Sequence, residues 1–204
     1  MSQITAIAKR EWGAYFNSPI AYIFIIIFLS LVSIFTFLVD NFFEWGRADL
    51  RRFFFWHPWV YLVLVPAVAM RLWAEEKRAH TIELLLTLPV TPMQAILGKF
   101  FAAWLFLLLA LVLTFPMVLT TRYLGDPDMG VTFAGYIGSF LLAGAYLSVG
   151  MFTSALTRNQ VISFVLALVI GFFMMILGFP PITNFLANIG APVWLVDGVA
   201  GISF

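Results

Sequence analysis

Five long stretches of this sequence contain almost no charged residue, and this feature limits the folds open to the chain more than any other. A helix needs roughly 20 apolar residues to cross a hydrocarbon core about 30 Å thick. Only helices and closed barrels satisfy every backbone polar group in lipid, and barrel strands would alternate in polarity, so each stretch predicts a helical membrane span. The predicted spans cover residues 20–39, 53–70, 98–121, 132–156 and 161–179.

The composition indicates the same class of protein. Hydrophobic residues make up 63% of the 204 residues and charged residues only 10%, whereas soluble domains carry about one-quarter charged residues. The chain cannot cover its surface with polar side chains, so we expect an all-α polytopic membrane protein. A net charge of +1 argues against a nucleic-acid partner. The two histidines, His57 and His80, do not have the spacing of a local metal-ligand motif.

The charges between the spans predict a cytoplasmic N-terminus. In that orientation seven basic residues lie on the cytoplasmic side and four on the other, in accordance with the positive-inside rule. Arg51 and Arg52 are the exceptions, since they fall outside. The C-terminus then also lies outside, and residues 180–204 are apolar but broken by Asn184 and Pro192. We expect them to form an outer-face interfacial segment of short helices.

Residues 1–18 form an amphipathic segment before the transmembrane domain of residues 19–204. Its apolar residues recur at helical spacing, while Glu11 and the other polar residues take the opposite face. This predicts an interfacial helix in the membrane plane, and the alternative is an ordered leader without a mechanical role. Ser18 and Pro19 predict the start of the first span. The residues expected to define the interfacial helix are Ile4, Ile7, Lys9, Arg10, Trp12 and Tyr15.

The loop of residues 71–97, between the second and third spans, carries the most specific pattern. Its charged part, residues 75–80, must lie in water, and Thr81 then caps a helix of about two turns that ends at Pro89. That helix is more apolar than a free cytoplasmic helix should be. The chain's own helices or the membrane surface could cover it, but we favour docking into a partner protein. Its residues are Ile82, Glu83, Leu84, Leu85, Leu86 and Leu88.

Two local patterns predict how other helices begin and pack. Thr91 and Gln94 predict a capping box at the start of the helix that leads into the third span. In the fourth span Gly135, Ser139 and Ala143 recur every four residues, which lets two helix backbones approach closely. We expect this stripe to pack within the subunit instead of forming a dimer face.

The segment from Glu75 to Val90, followed by Gln94 and residues 97–99, resembles the coupling region of ABC-2-type permeases. It is most similar to the branch associated with gliding-motility transporters. The amphipathic leader with its Asn17-Ser18-Pro19 start is similar to that family's connecting helix. The resemblance implies a type V exporter-like bundle with six spans, of which five are predicted here. Either the sequence is truncated or the sixth helix is missing from it.

The resemblance also implies a function. The chain would be the permease subunit of an ATP-binding-cassette exporter in a bacterial inner membrane, working as a homodimer or paired with a second permease. ATP and Mg²⁺ would bind a separate cytoplasmic ABC ATPase, so this chain would hold no cofactor and would not be an enzyme. Residues implied to couple to the ATPase are Glu75, Glu76, Lys77 and Arg78 as a polar hinge, and Thr81, Ile82, Glu83, Leu84, Leu85, Leu86 and Leu88 as the coupling helix.

Two other functions stay open, namely a nucleotide-independent channel or carrier and a membrane scaffold for a cytoplasmic protein. Residues 98–99 lack the glycines of a phosphate-binding loop. No predicted span has an ionisable residue near its middle, which argues against a proton- or sodium-coupled carrier. The sequence does not identify the substrate, but so few polar groups favour an amphipathic, lipidic or polymeric cargo over a small ion.

Overall fold

The structure is a computed structural model, and it describes residues 3–44, 49–80, 91–177, 183–184, 187–189, 192 and 194. The predicted interfacial segment 180–204 therefore lies almost wholly outside the described residues. Within them the chain is helical and has no strand, which confirms the all-α prediction. The helices are α1 (Gln3–Phe16), α2 (Pro19–Ile34), α3 (Arg51–Phe55), α4 (His57–Ala69), α5 (Arg71–Arg78), α6 (Pro92–Val112), α7 (Phe115–Leu124), α8 (Met129–Leu156) and α9 (Gln160–Leu177). A π-helical turn, Phe35–Val39, extends α2.

Side-chain caps determine where three of these helices begin. The backbone N–H of Ile20 donates to Oγ of Ser18 at 3.4 Å, directly before α2. At α6 the N–H of Gln94 donates to Oγ1 of Thr91 (3.3 Å), and the N–H of Thr91 donates to Oε1 of Gln94 (3.0 Å). These bonds satisfy amides that have no partner inside the helix. Both predicted caps are confirmed, and Asp128 caps α8 in the same way.

Within the described residues, four helical stretches are long and apolar enough to cross a membrane, and they match the first, third, fourth and fifth predicted spans. They are Pro19–Val39, Pro92–Leu124, Met129–Leu156 and Gln160–Leu177. The second predicted span, 53–70, differs from its prediction because it is divided between α3 and the 13-residue α4. A helix of that length is about 20 Å long, too short to cross a bilayer by itself.

The α3–α4 segment nevertheless runs through the depth of the bundle. Near its beginning the ring of Phe54 lies against Gly135, and just after its end the carbonyl of Met70 accepts a hydrogen bond from Ser154 (2.9 Å). The segment therefore advances in the same direction as α8 and beside about 28 Å of it. This length is close to the thickness of a hydrocarbon core.

Burial distinguishes α4 from the longer helices. Ten of its thirteen residues are buried, whereas α2 and α9 each bury only four. Helices α2, α8 and α9 all pack against α4. It is the central helix of the bundle and exposes little surface, mainly at Val63 (45% exposed), and its Pro66 is accommodated between neighbouring helices.

The small-residue stripe of α8 packs within the subunit, as predicted, but against side chains instead of a helix backbone. Gly135 and Ser139 accommodate aromatic rings of α3 and α4, and Ala143 is buried. A close approach of the two helices lies further along α8, where Gly150 faces Ala69 of α4 and a Cβ at Gly150 would collide with the Cβ of Ala69. That contact was not among the predictions.

Neighbouring helices place the charged residues at two ends of the bundle. The stacked ring pairs Phe28–Tyr61 and Phe35–Trp56 show that α2 and α4 are antiparallel. We call one end the Lys99 end, which holds α1, α5, the start of α6 and the end of α8. The other is the Asp40 end, which holds the end of α2, the helix α3 and the end of α7.

Candidate functional site

The residues predicted to couple to a partner lie at the Lys99 end. Glu75, Glu76, Lys77 and Arg78 form the second half of α5. The predicted coupling helix falls on residues 81–90, outside the described residues. The helices that border this segment, α5 and α6, are both described. The coupling-helix residues outside the described part are Thr81, Ile82, Glu83, Leu84, Leu85, Leu86 and Leu88.

The first boundary, α5, is fixed to the end of α8 by one hydroxyl group. The backbone N–H groups of Trp73 and Ala74 donate to Oγ of Ser154 at 3.1 and 3.0 Å, and this oxygen donates in turn to the carbonyl of Met70. First-turn amides lack partners within their own helix, so Ser154 satisfies polar groups that burial would otherwise penalise. Lys77 also donates to the carbonyl of Ala155. Helix α5 is therefore held at its start and along its second half.

Lys99 joins three helices by ion pairs. Its Nζ lies 2.7 Å from Oε1 of Glu76 on α5 and 3.1 Å from Oε1 of Glu11 on α1, and 5.5 Å from the centre of the Trp73 ring. The Lys99 side chain is only 3% exposed, and the two carboxylates are 17% and 19% exposed. A buried ammonium group is tolerated only when it is paired. We call Glu11, Glu76 and Lys99 the ion cluster.

The sequence did not predict the ion cluster. Glu11 was expected with the polar face of α1, but it is partly buried between α1 and α6. Lys99 was predicted as a cytoplasmic basic residue and as part of the family resemblance, without an ion-pair partner. These two residues are 88 positions apart, so no local spacing connects them.

Helix α1 packs along α6. A Cβ at Gly98 would lie 2.7 Å from Cγ2 of Ile7, so glycine permits this close contact. Two turns later on both helices, the ring of Tyr15 stacks on Phe106 with centroids 5.0 Å apart. The two helices therefore run side by side in the same direction. Because α6 is a candidate membrane span, this packing disagrees with the predicted orientation of α1 in the membrane plane.

The predicted interfacial residues divide between two faces of α1. The half-buried face contains Ile4, Ile7, Trp12 and Tyr15, and Lys9 and Arg10 are exposed. Burial raises the pKa of the Tyr15 phenol, and the nearby Glu11 carboxylate adds to the effect. Tyr15 therefore stays neutral.

The end of α5 sets the path into residues 81–90. The N–H of Ala79 donates to the carbonyl of Glu75 at 2.9 Å, and His80 follows in the left-handed region with φ of 57°. This conformation is usual for glycine at a helix end and costs another residue about 1 kcal/mol. The capping box at Thr91 marks the far end of the segment. The chain thus leaves one fixed helix and enters another within about ten residues.

This arrangement is suited to transmitting a displacement. A force on residues 81–90 acts on α5, which continues through Met70 into the central helix α4. The ion cluster connects the same force to α1 and α6. The charged groups at this end hold helices together.

The comparisons with known proteins agree with a membrane transport role. A family model described as ABC-2 family transporter protein matches residues 54–192, more than half of the chain. The match begins in α3 and includes α4 to α9 with the loop between α5 and α6. No curated protein and no solved structure matches the chain.

Proposed function

The chain belongs to the ABC-2 family of transporter proteins, and from this premise we propose that it is the permease subunit of an ATP-binding-cassette exporter. It is a multi-pass membrane protein of a family whose membrane component is not itself catalytic. In the proposal a separate cytoplasmic ABC ATPase binds ATP and Mg²⁺, and two permeases pair in a bacterial inner membrane. The gliding-motility-associated branch is proposed from the sequence of residues 75–90 alone.

The observation that carries this proposal is the ion cluster. Lys99 connects α1, α5 and α6 directly beside the segment predicted to dock on the ATPase. A subunit driven by an external motor needs such a rigid connection, because a displacement is lost if the receiving helix moves independently of the bundle. The Lys99 end faces the cytoplasm in this proposal, and α1 acts as a connecting helix.

The proposed cycle follows from these connections. ATP binding closes the ATPase pair and displaces the coupling helix of residues 81–88. Helix α5, which contains residues 75–78, passes the movement to α4, and α4 packs against α2, α8 and α9. Movement of this central helix changes the packing of all three and opens a path between the two permeases. The cargo is amphipathic, lipidic or polymeric.

A paired charge-reversal experiment tests the docking surface. The chain is co-expressed with a candidate cytoplasmic ABC ATPase, and ATP hydrolysis of the reconstituted complex is measured in liposomes. Glu83→Lys with Leu85→Asp places new charges in the coupling helix. We expect complex formation and permease-stimulated hydrolysis to fall by about tenfold or more, as for the loss of an interface hot spot.

The matched control makes the same chemical changes at the other end of the bundle. Asp126→Lys with Leu124→Asp alters two exposed residues, so it should leave complex formation unchanged. Equal losses in both variants would reject docking through residues 81–88. Transport into liposomes without nucleotide would indicate a channel or carrier, and an ATPase that binds but never responds to cargo would indicate a scaffold.

A further inference from the structure

A cavity of about 400 Å³ lies between α1, α2, α4, α5 and α6. Its volume is within the range of ligand pockets, roughly 300–1,000 Å³. The wall towards the middle of the bundle is apolar, with Phe24, Leu64, Val68 and Phe106 among its residues. The wall at the Lys99 end is charged and contains Glu11, Arg71, Glu75, Glu76 and Lys99. The cavity therefore has one apolar part and one ionic part.

The apolar part reaches the outer surface of the bundle beside α2. Ile20, Ile23 and Ile27 line the cavity and form one stripe of this helix. They are also 46%, 53% and 42% exposed. Because α2 spans the membrane, this exposed stripe faces acyl chains, and a lipid chain can enter from the side.

The ionic part carries charges of both signs, with carboxylates in excess. Lys99 is engaged by Glu11 and Glu76, and Arg71 lies 3.5 Å from Glu75 with its side chain 35% exposed. Three carboxylates therefore face two cations along this wall. Arg10, which also touches Glu11, is 62% exposed and contributes little in water. The wall complements an ammonium group near the carboxylates and a phosphate near Arg71.

We propose that this cavity binds a membrane phospholipid with a primary ammonium headgroup, of the phosphatidylethanolamine type. One acyl chain lies along the apolar wall, the phosphate contacts Arg71, and the ammonium group donates hydrogen bonds to the carboxylates. The lipid holds α1 against α2 and α5. This inference depends on the chain being a membrane protein and not on export, so each can fail without the other.

Native mass spectrometry of the purified full-length chain tests the site. The protein is released from mixed micelles with equal amounts of phosphatidylethanolamine, phosphatidylglycerol and phosphatidylcholine, and retained lipid is identified by mass. We expect one phosphatidylethanolamine per chain, retained in preference to the other two. The anionic lipid would meet the carboxylates, and the quaternary ammonium of phosphatidylcholine cannot donate hydrogen bonds.

Two phenylalanine substitutions on the same helix separate the cavity from the surface. Ala14 and Ala6 are both exposed on α1, but Ala14 lines the cavity and Ala6 is outside it. Ala14→Phe should reduce lipid retention about tenfold, which corresponds to losing the burial of two methylene groups. Ala6→Phe should retain lipid as the unaltered chain does. Ala67→Phe fills the cavity from α4 and should act like Ala14→Phe.

A second arm tests the headgroup. Glu75→Gln removes one carboxylate from the ionic wall and should lower the preference for phosphatidylethanolamine over phosphatidylglycerol roughly two- to fivefold, the worth of one partly exposed ion pair. Glu44→Gln at the Asp40 end is the control and should not change it. Thermal unfolding verifies that each variant is folded.

Three results would overturn the proposal. The first is full lipid retention in both folded cavity-filling variants. The second is equal retention of phosphatidylglycerol and phosphatidylethanolamine by the unaltered chain. The third is a lipid-free dimer in which the cavity-filling substitutions weaken chain pairing, because a second copy would then occupy the cavity.

Discussion

At the Asp40 end of the bundle, Asp40 accepts hydrogen bonds from Arg52 (3.2 Å) and Trp56 (2.9 Å), partners only 12 and 16 residues away. At the Lys99 end, the pair between Lys99 and Glu11 connects residues 88 positions apart. The network at the Asp40 end joins elements that follow one another in the chain. The network at the Lys99 end joins distant helices, so it makes α1, α5 and α6 move as a unit.

Solvent exposure strengthens this contrast. The Arg52 side chain is 40% exposed, so water can replace its partner at little cost. The Lys99 side chain is almost fully buried, and its loss would leave two partly buried carboxylates close together. The structural importance of an ion pair therefore depends on its burial and on the helices that it joins, more than on the N–O distance.

The largest expected effect comes from removing the buried ammonium. Lys99→Met should lower the free energy of unfolding by about 3 kcal/mol, because Glu11 and Glu76 then repel each other without the buried cation between them. The measurement is unfolding of the purified protein in mild detergent by titration with a denaturing detergent. The helix content, recorded across the titration, reports the unfolding transition and its midpoint.

Arg52→Met is the matched control for this prediction. It removes one cation in the same way and should cost at most about 1 kcal/mol, since the pair is partly exposed. If the two variants lose the same stability, the distinction between a cross-chain cluster and a local network is wrong.

A smaller effect is expected where α1 contacts α6. Gly98→Ala introduces a methyl group against Ile7 and should destabilise the protein by about 1–2 kcal/mol, because overpacking outweighs the better helix propensity of alanine. Gly13→Ala, on α1 itself, meets no atom within 4 Å and should stabilise the protein by about 0.5–1 kcal/mol. The same unfolding titration measures both. Changes of equal sign would show that α1 does not pack tightly on α6.

The sequence predicted those parts of the fold that depend on neighbouring residues. The caps at Ser18 and Thr91 are short-range patterns, and four spans are recognisable from continuous apolar runs. The central position of α4 was not predictable, because hydropathy does not distinguish a helix surrounded by protein from one surrounded by lipid. The close contact of Gly150 with Ala69 depends on register between distant helices.

The residues of the candidate site also divide into those that local sequence patterns predicted and those that depend on contacts between distant helices. The hinge residues Glu75 and Arg78 were identified from a local resemblance and lie on α5 as a continuous helix. The ion cluster was missed because Glu11 and Lys99 become neighbours only when α1 packs on α6. Gly98 permits that packing. In the sequence it is only a glycine next to a lysine, so its contact with Ile7 could not be predicted.

Accessibility labelling of single cysteines tests most directly whether the Lys99 end is the cytoplasmic, partner-binding end. The natural sequence has no cysteine, so labels report only introduced sites. Arg78 is exposed at the Lys99 end, and Tyr123 is 91% exposed on α7 at the Asp40 end. An impermeant maleimide is applied to intact cells and to inverted membrane vesicles, with and without the co-expressed ABC ATPase.

We expect Arg78→Cys to react only in inverted vesicles and to become protected when the ATPase is bound. Tyr123→Cys should react only in intact cells, and bound ATPase should not change its labelling. Reaction of Arg78→Cys from outside the cell, or equal reaction with and without bound ATPase, would contradict the account.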